Sequence, residues 1–185
     1  MSWIQIVEVT DATGKLKQVY KEIEEKRGKI SNIMKIHSLN PDAMKKHMDL
    51  YLALMFGSSG LTREEREFIA VTVSVINNCK YCIRHHVEAL NHYWKNKDKI
   101  NKFIDNFNSI ELTLKQQCII DYAVKLTKNS SYVTIDDVDS LRKSGYSDKD
   151  ILDINLIICY FNFVNRIALG LGVELSNDEV KGYKI

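Results

Sequence analysis

Two thiols and an imidazole share one short stretch of this chain. Cys79, Cys82 and His86 stand at i, i+3 and i+7 within Asn77-Asn78-Cys79-Lys80-Tyr81-Cys82-Ile83-Arg84-His85-His86. At about 100° per residue, that spacing puts all three side chains on one helical face about 60° wide. A thiolate is the nucleophile of peroxide reduction and disulfide exchange and the ligand of thiol metal sites. It forms near neutral pH only where something lowers the ordinary thiol pKa of about 8.5. Asn77-Asn78 reads as a break between two helices, because asparagine tolerates left-handed and capping conformations, so the second helix begins at or near Cys79. The unsatisfied N–H groups and positive macrodipole end of that helix favour an anion. His86, one turn beyond Cys82, is within reach as its base or thiolate partner, and Cys79 is within reach to close a disulfide after the first oxidation. Glu67 supplies an acid near the start of the preceding apolar helix. Antiparallel packing of the two helices would bring its carboxylate to His86, to orient the ring or relay protons.

The same residues admit other chemistry. A structural zinc site needs four ligands, and the chain has no second Cys-x-x-Cys or His-x-His pair, although Glu67 could join Cys79, Cys82 and His86. A non-enzymatic redox sensor would use the same two thiols. Cys118 and Cys159 fall in apolar stripes and read as small core residues. Arg84 and His85 point off the shared face, toward solvent or a partner, and His37, His47 and His92 have no ligand spacing and are assigned no role.

The elements that must position the pair read as helices. One proline and eight glycines in 185 residues leave little punctuation, and the glycines fall mostly between segments of helical period. Leu16, Val19, Tyr20 and Ile23 form one apolar stripe, followed by Gly28 as a left-handed cap. Asn40-Pro41 starts a second helix with Met44, Met48, Tyr51 and Met55 on one face, ending at Gly57. Thr62-x-x-Glu65, Thr113-x-x-Gln116 and Ser147-x-x-Asp150 spell capping boxes before three more. Ile100, Phe103, Ile104 and Phe107 predict a core-facing stripe, as do Leu114, Cys118, Tyr122 and Leu126. Residues 151–169 are apolar almost all round, as in a central or interface helix, with Gly170 and Gly172 as the stop. Trp3 to Val9 hints at extended chain. The expectation is an all-α, single-domain helical bundle over residues 1–185.

Charge and composition narrow the partners. Lys and Arg number 26 against 24 Asp and Glu, a net +2 spread over the chain, which gives no electrostatic reason to expect nucleic acid or an anionic membrane surface. The longest apolar runs, such as residues 68–73, are broken by polar residues short of a bilayer span. The N-terminus lacks a basic region followed by a long apolar one, so the cytoplasm, with reduced thiols, is the expected compartment.

Glu67-x11-Cys79-x2-Cys82-x3-His86 resembles the signature of the alkylhydroperoxidase D-like branch of the carboxymuconolactone decarboxylase family. Asn40-Pro41, the entry at residues 61–67, and the tail from Phe161-Asn162-Phe163-Val164-Asn165-Arg166 to Leu171-Gly172-Val173-Glu174-Leu175 resemble its peroxidase-related subgroup. The resemblance implies an all-helical fold, homo-oligomers assembled through apolar helices, and thiol-dependent reduction of a hydroperoxide, with an external dithiol or disulfide reductase as electron donor. It calls for no cofactor and no resident metal. It assigns the attack on the peroxide to Cys82 and the resolving step to Cys79, with His86 and Glu67 moving protons, whereas the position nearer the helix N-terminus favours Cys79 as the lower-pKa thiol. The best-known alkylhydroperoxidase D proteins carry histidine immediately before the second cysteine. Tyr81 stands there in this chain, which implies a simpler proton relay.

Overall fold

Side-chain caps fix where most of the helices begin. The computed structural model describes residues 2–176, 179, 180 and 183, and among these the chain forms nine α-helices, three single 3-10 turns and no strand. The helices are α1 (Gly14–Arg27), α2 (Asn32–Lys35), α3 (Pro41–Phe56), α4 (Arg63–Ile76), α5 (Lys80–Trp94), α6 (Lys97–Asp105), α7 (Leu114–Lys128), α8 (Ile135–Lys143) and α9 (Asp148–Gly170). Asn40 accepts the Ala43 N–H ahead of Pro41, and the boxes Thr62/Glu65, Thr113/Gln116 and Ser147/Asp150 close reciprocally where the spelling predicts them. Gly28 ends α1 at φ 77°, a left-handed conformation that costs glycine little. Helix α8 escapes the sequence pattern because it is short, although the Thr134 N–H donates to the Asp137 carboxylate three residues on (2.7 Å).

Helix α4 is the hub. Its Phe68, Ile69, Val71 and Val73 are buried against α5, α7 and α9, whose Leu90, Ile119, Ala123, Ile154, Ile158 and Phe161 complete the main core. Each such side chain contributes roughly 1.5–3 kcal/mol when fully buried. A smaller cluster packs Leu16, Val19, Tyr20 and Ile23 of α1 on Met44 and Met48 of α3, and Ile33 and Tyr51 lie against both clusters. The consequence for the site is rigidity: both helices that flank the Asn77-Asn78 junction are held by the same core.

Three expectations need correction. In α7 the predicted stripe turns outward at its first member, Leu114, which is 70% exposed, and the buried residues are Ile119, Ile120, Tyr122 and Ala123. A position on the first turn projects past the neighbouring helices, so period alone misjudged the face. Residues 3–8 form no strand; Trp3 donates its N–H to Leu171 O (3.0 Å) and a 3-10 turn follows at Val9–Asp11. Helix α9 is long and apolar enough to cross a membrane by length and composition. It is instead the core helix of this fold, buried on one side while Leu152, Leu156, Cys159 and Phe163 are exposed on the other. Cys159 is therefore a surface thiol, not a core residue, whereas Cys118 of α7 is half-buried and packs against the main core.

Candidate active site

The thiols are placed by the way α4 ends. Asn78 has φ 53°, its N–H donates to Val75 O (2.9 Å), and the Cys79 N–H donates to Ser74 O (2.9 Å). This pair of bonds is a Schellman motif with asparagine where glycine is usual. It reverses the chain within two residues and delivers Cys79 as the N-cap of α5. Both cysteines are free and buried, at 1% and 3% exposure. The Cys82 S–H donates to Cys79, and the backbone N–H groups of Cys82 and Tyr81 add to it, so the Cys79 thiol is lowered to about 7. Cys82 is pushed the other way, because it supplies that hydrogen bond and lies deep in the fold. The two thiols share a proton that rests on Cys82.

Glu67 and His86 meet as the antiparallel packing predicts. His86 Nδ1 lies 2.6 Å from Glu67 Oε2, across 19 residues of sequence, and the ring stands edge-on to Phe161 at 4.6 Å. A carboxylate only accepts, so Nδ1 carries a proton that it donates to Glu67. Glu67 is 1% exposed, not the surface residue that a lone glutamate usually is, and its second oxygen pairs with Arg63 Nη2 at 2.5 Å. That pairing offsets the cost of a buried carboxylate. Cys82, Glu67 and His86 all line one cavity of about 550 Å³, and Cys79 does not. The rest of the wall is mixed, with Met48, Tyr51, Tyr160, Phe161 and Val164 among its apolar and aromatic members and Arg27, Lys29 and Arg63 among its cationic ones. The structure thus brings all four expected residues together, with Cys82 on the cavity side and Cys79, the lower-pKa thiol, off the cavity wall. Among the described residues, no three His, Cys, Asp or Glu side chains are grouped to hold a metal ion.

Several neighbours were not singled out from the sequence. Asn165, fully buried, donates to Ser74 Oγ (3.3 Å), accepts from Asn77 Nδ2 (3.1 Å) and hydrogen-bonds the Cys82 thiol. Asparagine inside an apolar helix is costly unless paired, and that was the available signal. Tyr81, between the cysteines, has its hydroxyl engaged elsewhere. Its hydroxyl donates to the buried Glu179 (2.5 Å) and accepts the Ile33 N–H (3.2 Å), fastening the C-terminal residues beside the cavity that Val180 and Tyr183 also line. His85 packs on Tyr81 at 4.6 Å and faces Glu179 at 3.8 Å, in place of the solvent expected for it, while Arg84 is exposed. His37 and His47, given no role above, join Tyr160 in a chain of hydrogen bonds.

The sequence and the fold have counterparts among known proteins. Residues 41–106, from α3 through α6, match the model of the carboxymuconolactone decarboxylase family. A peroxidase-related protein with an alkylhydroperoxidase AhpD core from Ralstonia eutropha JMP134 is 28% identical, with a TM-score of 0.85 over 97% of this chain and 94% of that one. A peroxidase-related protein from Silicibacter sp. TM1040 is 27% identical, with a TM-score of 0.86 and the same coverage. The debrominase Bmp8 shares the fold at 19% identity and a TM-score of 0.75, covering 95% of this chain and 96% of its own, so the fold alone does not select a reaction. Residues 41–106 of this protein are thus similar to the carboxymuconolactone decarboxylase family, and its whole-chain fold is that of the alkylhydroperoxidase D-like, peroxidase-related proteins.

Proposed function

We propose that the protein is a thiol peroxidase that reduces organic hydroperoxides through Cys79 and Cys82. The observation that carries this reading is the division of the pair: Cys82 lines a partly apolar cavity beside a carboxylate-held imidazole, with a low-pKa thiol directly behind it. As the peroxide enters, the shared proton crosses from Cys82 to Cys79, leaving the thiolate on the cavity side. Cys82 Sγ attacks the terminal peroxide oxygen; the S–O bond forms, the O–O bond breaks, and sulfur is oxidised to the sulfenic acid as the peroxide is reduced to an alkoxide. His86 Nε2, having taken a proton from solvent while Glu67 holds Nδ1–H, gives it to the alkoxide, which leaves as the alcohol. Cys79 then attacks the sulfenic sulfur, its proton leaving with the hydroxyl as water, and a disulfide remains. An external dithiol returns the two electrons and two protons.

The test is single-turnover consumption of cumene hydroperoxide by reduced protein, followed by mass spectrometry of wild type, Cys79→Ser and Cys82→Ser. The proposal expects wild type to lose two hydrogens per chain, and Cys79→Ser to hold one added oxygen on Cys82. Thiols that react no faster than free cysteine would remove it. The exposed Leu152, Leu156 and Phe163 of α9 suit a second copy of the chain, which light scattering would read.

A further inference from the structure

A hydrogen-bond chain outside the thiol pair ends on the cavity wall, and its polarity can be worked out atom by atom. His37 Nδ1 lies 2.9 Å from the Ile33 carbonyl. A carbonyl only accepts, so His37 carries its proton on Nδ1 and presents a lone pair at Nε2. His47 Nδ1, 3.2 Å from that Nε2, must then donate, which leaves His47 Nε2 bare. The Tyr160 hydroxyl, 2.8 Å from His47 Nε2, therefore donates to it. This order holds while both imidazoles are neutral, and burial keeps them so: His47 is lowered to about 3 and His37 is lowered as well, each chiefly by desolvation. The one proton of Tyr160 is committed to His47, away from any ligand. Its oxygen keeps only lone pairs, and Tyr160 lines the same cavity as Cys82 and His86.

We propose that Tyr160 is a ligand-binding residue of the Cys82 cavity, its oxygen serving as an acceptor that selects organic molecules carrying an O–H group, with His37 and His47 fixing that polarity. The inference deepens the peroxidase reading, since a hydroperoxide and its alcohol product both carry such a group, and it rests on that reading for its role in turnover. An O–H held by Tyr160 beside the apolar wall of Met48, Phe161 and Val164 would present the terminal oxygen while the organic body fills the cavity. Ethers and esters of similar size would gain the same apolar contact and leave the Tyr160 lone pairs without a donor, which a buried site penalises.

The experiment is a binding titration, independent of turnover. Reduced protein is titrated with 2-phenyl-2-propanol and with its methyl ether, followed by NMR chemical shifts. Wild type is expected to bind the alcohol about 10-fold more tightly than the ether. Tyr160→Phe, close in shape, should bring the two within about 2-fold through loss of alcohol affinity. His47→Leu frees the Tyr160 proton to turn toward the ligand, so the preference should shrink through a gain in ether affinity. Equal binding by wild type overturns the proposal, as does a preference that survives Tyr160→Phe. An unchanged preference in folded His47→Leu overturns the assigned polarity, and if that variant fails to fold the Tyr160→Phe arm decides. A wild type that prefers the alcohol yet consumes no cumene hydroperoxide would refute the peroxidase reading and leave the Tyr160 assignment standing.

Discussion

Cutting Cys82 back to alanine should move the titration of Cys79, by an amount the structure sets. The Cys79 thiol lies at about 7 against an ordinary 9.0, with the Cys82 S–H first among the causes and the backbone N–H groups of Cys82 and Tyr81 after it. Two units correspond to about 2.7 kcal/mol in favour of the thiolate. A hydrogen bond to a charged group is worth roughly 1.5–3 kcal/mol, and the lower end alone accounts for about one unit. Cys82→Ala is therefore expected to titrate its remaining site thiol near 8. At pH 7 the thiolate fraction would fall from about a half to about a tenth, a roughly fivefold drop. Cys82→Ser keeps a donor and should stay within about half a unit of wild type. The assay is thiolate absorbance at 240 nm against pH, with Cys118 and the exposed Cys159 replaced by serine to remove their background. A first step that stays near 7 in Cys82→Ala, or that rises as far in Cys82→Ser as in Cys82→Ala, would refute the shared-proton geometry.

Other expectations follow from the same contacts. Glu67→Gln keeps the shape but removes the charge that fixes His86 Nδ1–H and pairs with Arg63, and single-turnover peroxide reduction should fall about 100-fold with the helical circular dichroism unchanged. Because folding depresses the Cys79 pKa, its contribution is fully present above the unfolded value near 9 and is lost as pH falls through about 7. Reduced protein should accordingly gain about 1.5 kcal/mol in urea unfolding between pH 7 and 8.5, a gain missing from Cys79→Ala. Cys82, with a raised pKa, opposes this only at more alkaline pH, as its own contribution is lost. At Asn78, φ 53° accepts glycine, so Asn78→Gly should unfold within about 0.5 kcal/mol of wild type, whereas Asn78→Val should cost about 1–2 kcal/mol.

The local rules in the chain were the legible ones. Capping boxes and the asparagine break before Cys79 are short-range patterns that the structure realises where the residues predict them, whereas the i, i+3, i+7 spacing brings Cys82 and His86 to one cavity and leaves Cys79, the N-cap, off it. Glu67 could be matched to His86 because two adjacent helices joined by a two-residue turn can only fold back on each other. What period and spacing could not reveal came from far along the chain. Asn165 reaches Ser74 across 91 residues, and Tyr160 reaches His47 across 113. His37 and His47 have no ligand spacing because they bind each other and a tyrosine, in place of a metal. The outward turn of Leu114 and the half-exposed α9 show a related limit, since helical period gives the apolar face but not which part of it a neighbour covers.

The helix start at Cys79 also bears on electron flow. Any disulfide closed between Cys79 and Cys82 discharges the anion that the Cys82 S–H, and after it the Cys82 and Tyr81 amides, favour, so the reduced form alone benefits from them. The bridge then accepts electrons more readily than one between ordinary thiols. A thiol at about 7 in place of 9.0 raises the reduction potential by about 10 mV at pH 7 and about 30 mV at pH 8. The contacts that favour the Cys79 thiolate thereby ease the resetting of the pair, and most strongly on the alkaline side, where the incoming dithiol is itself more fully ionised.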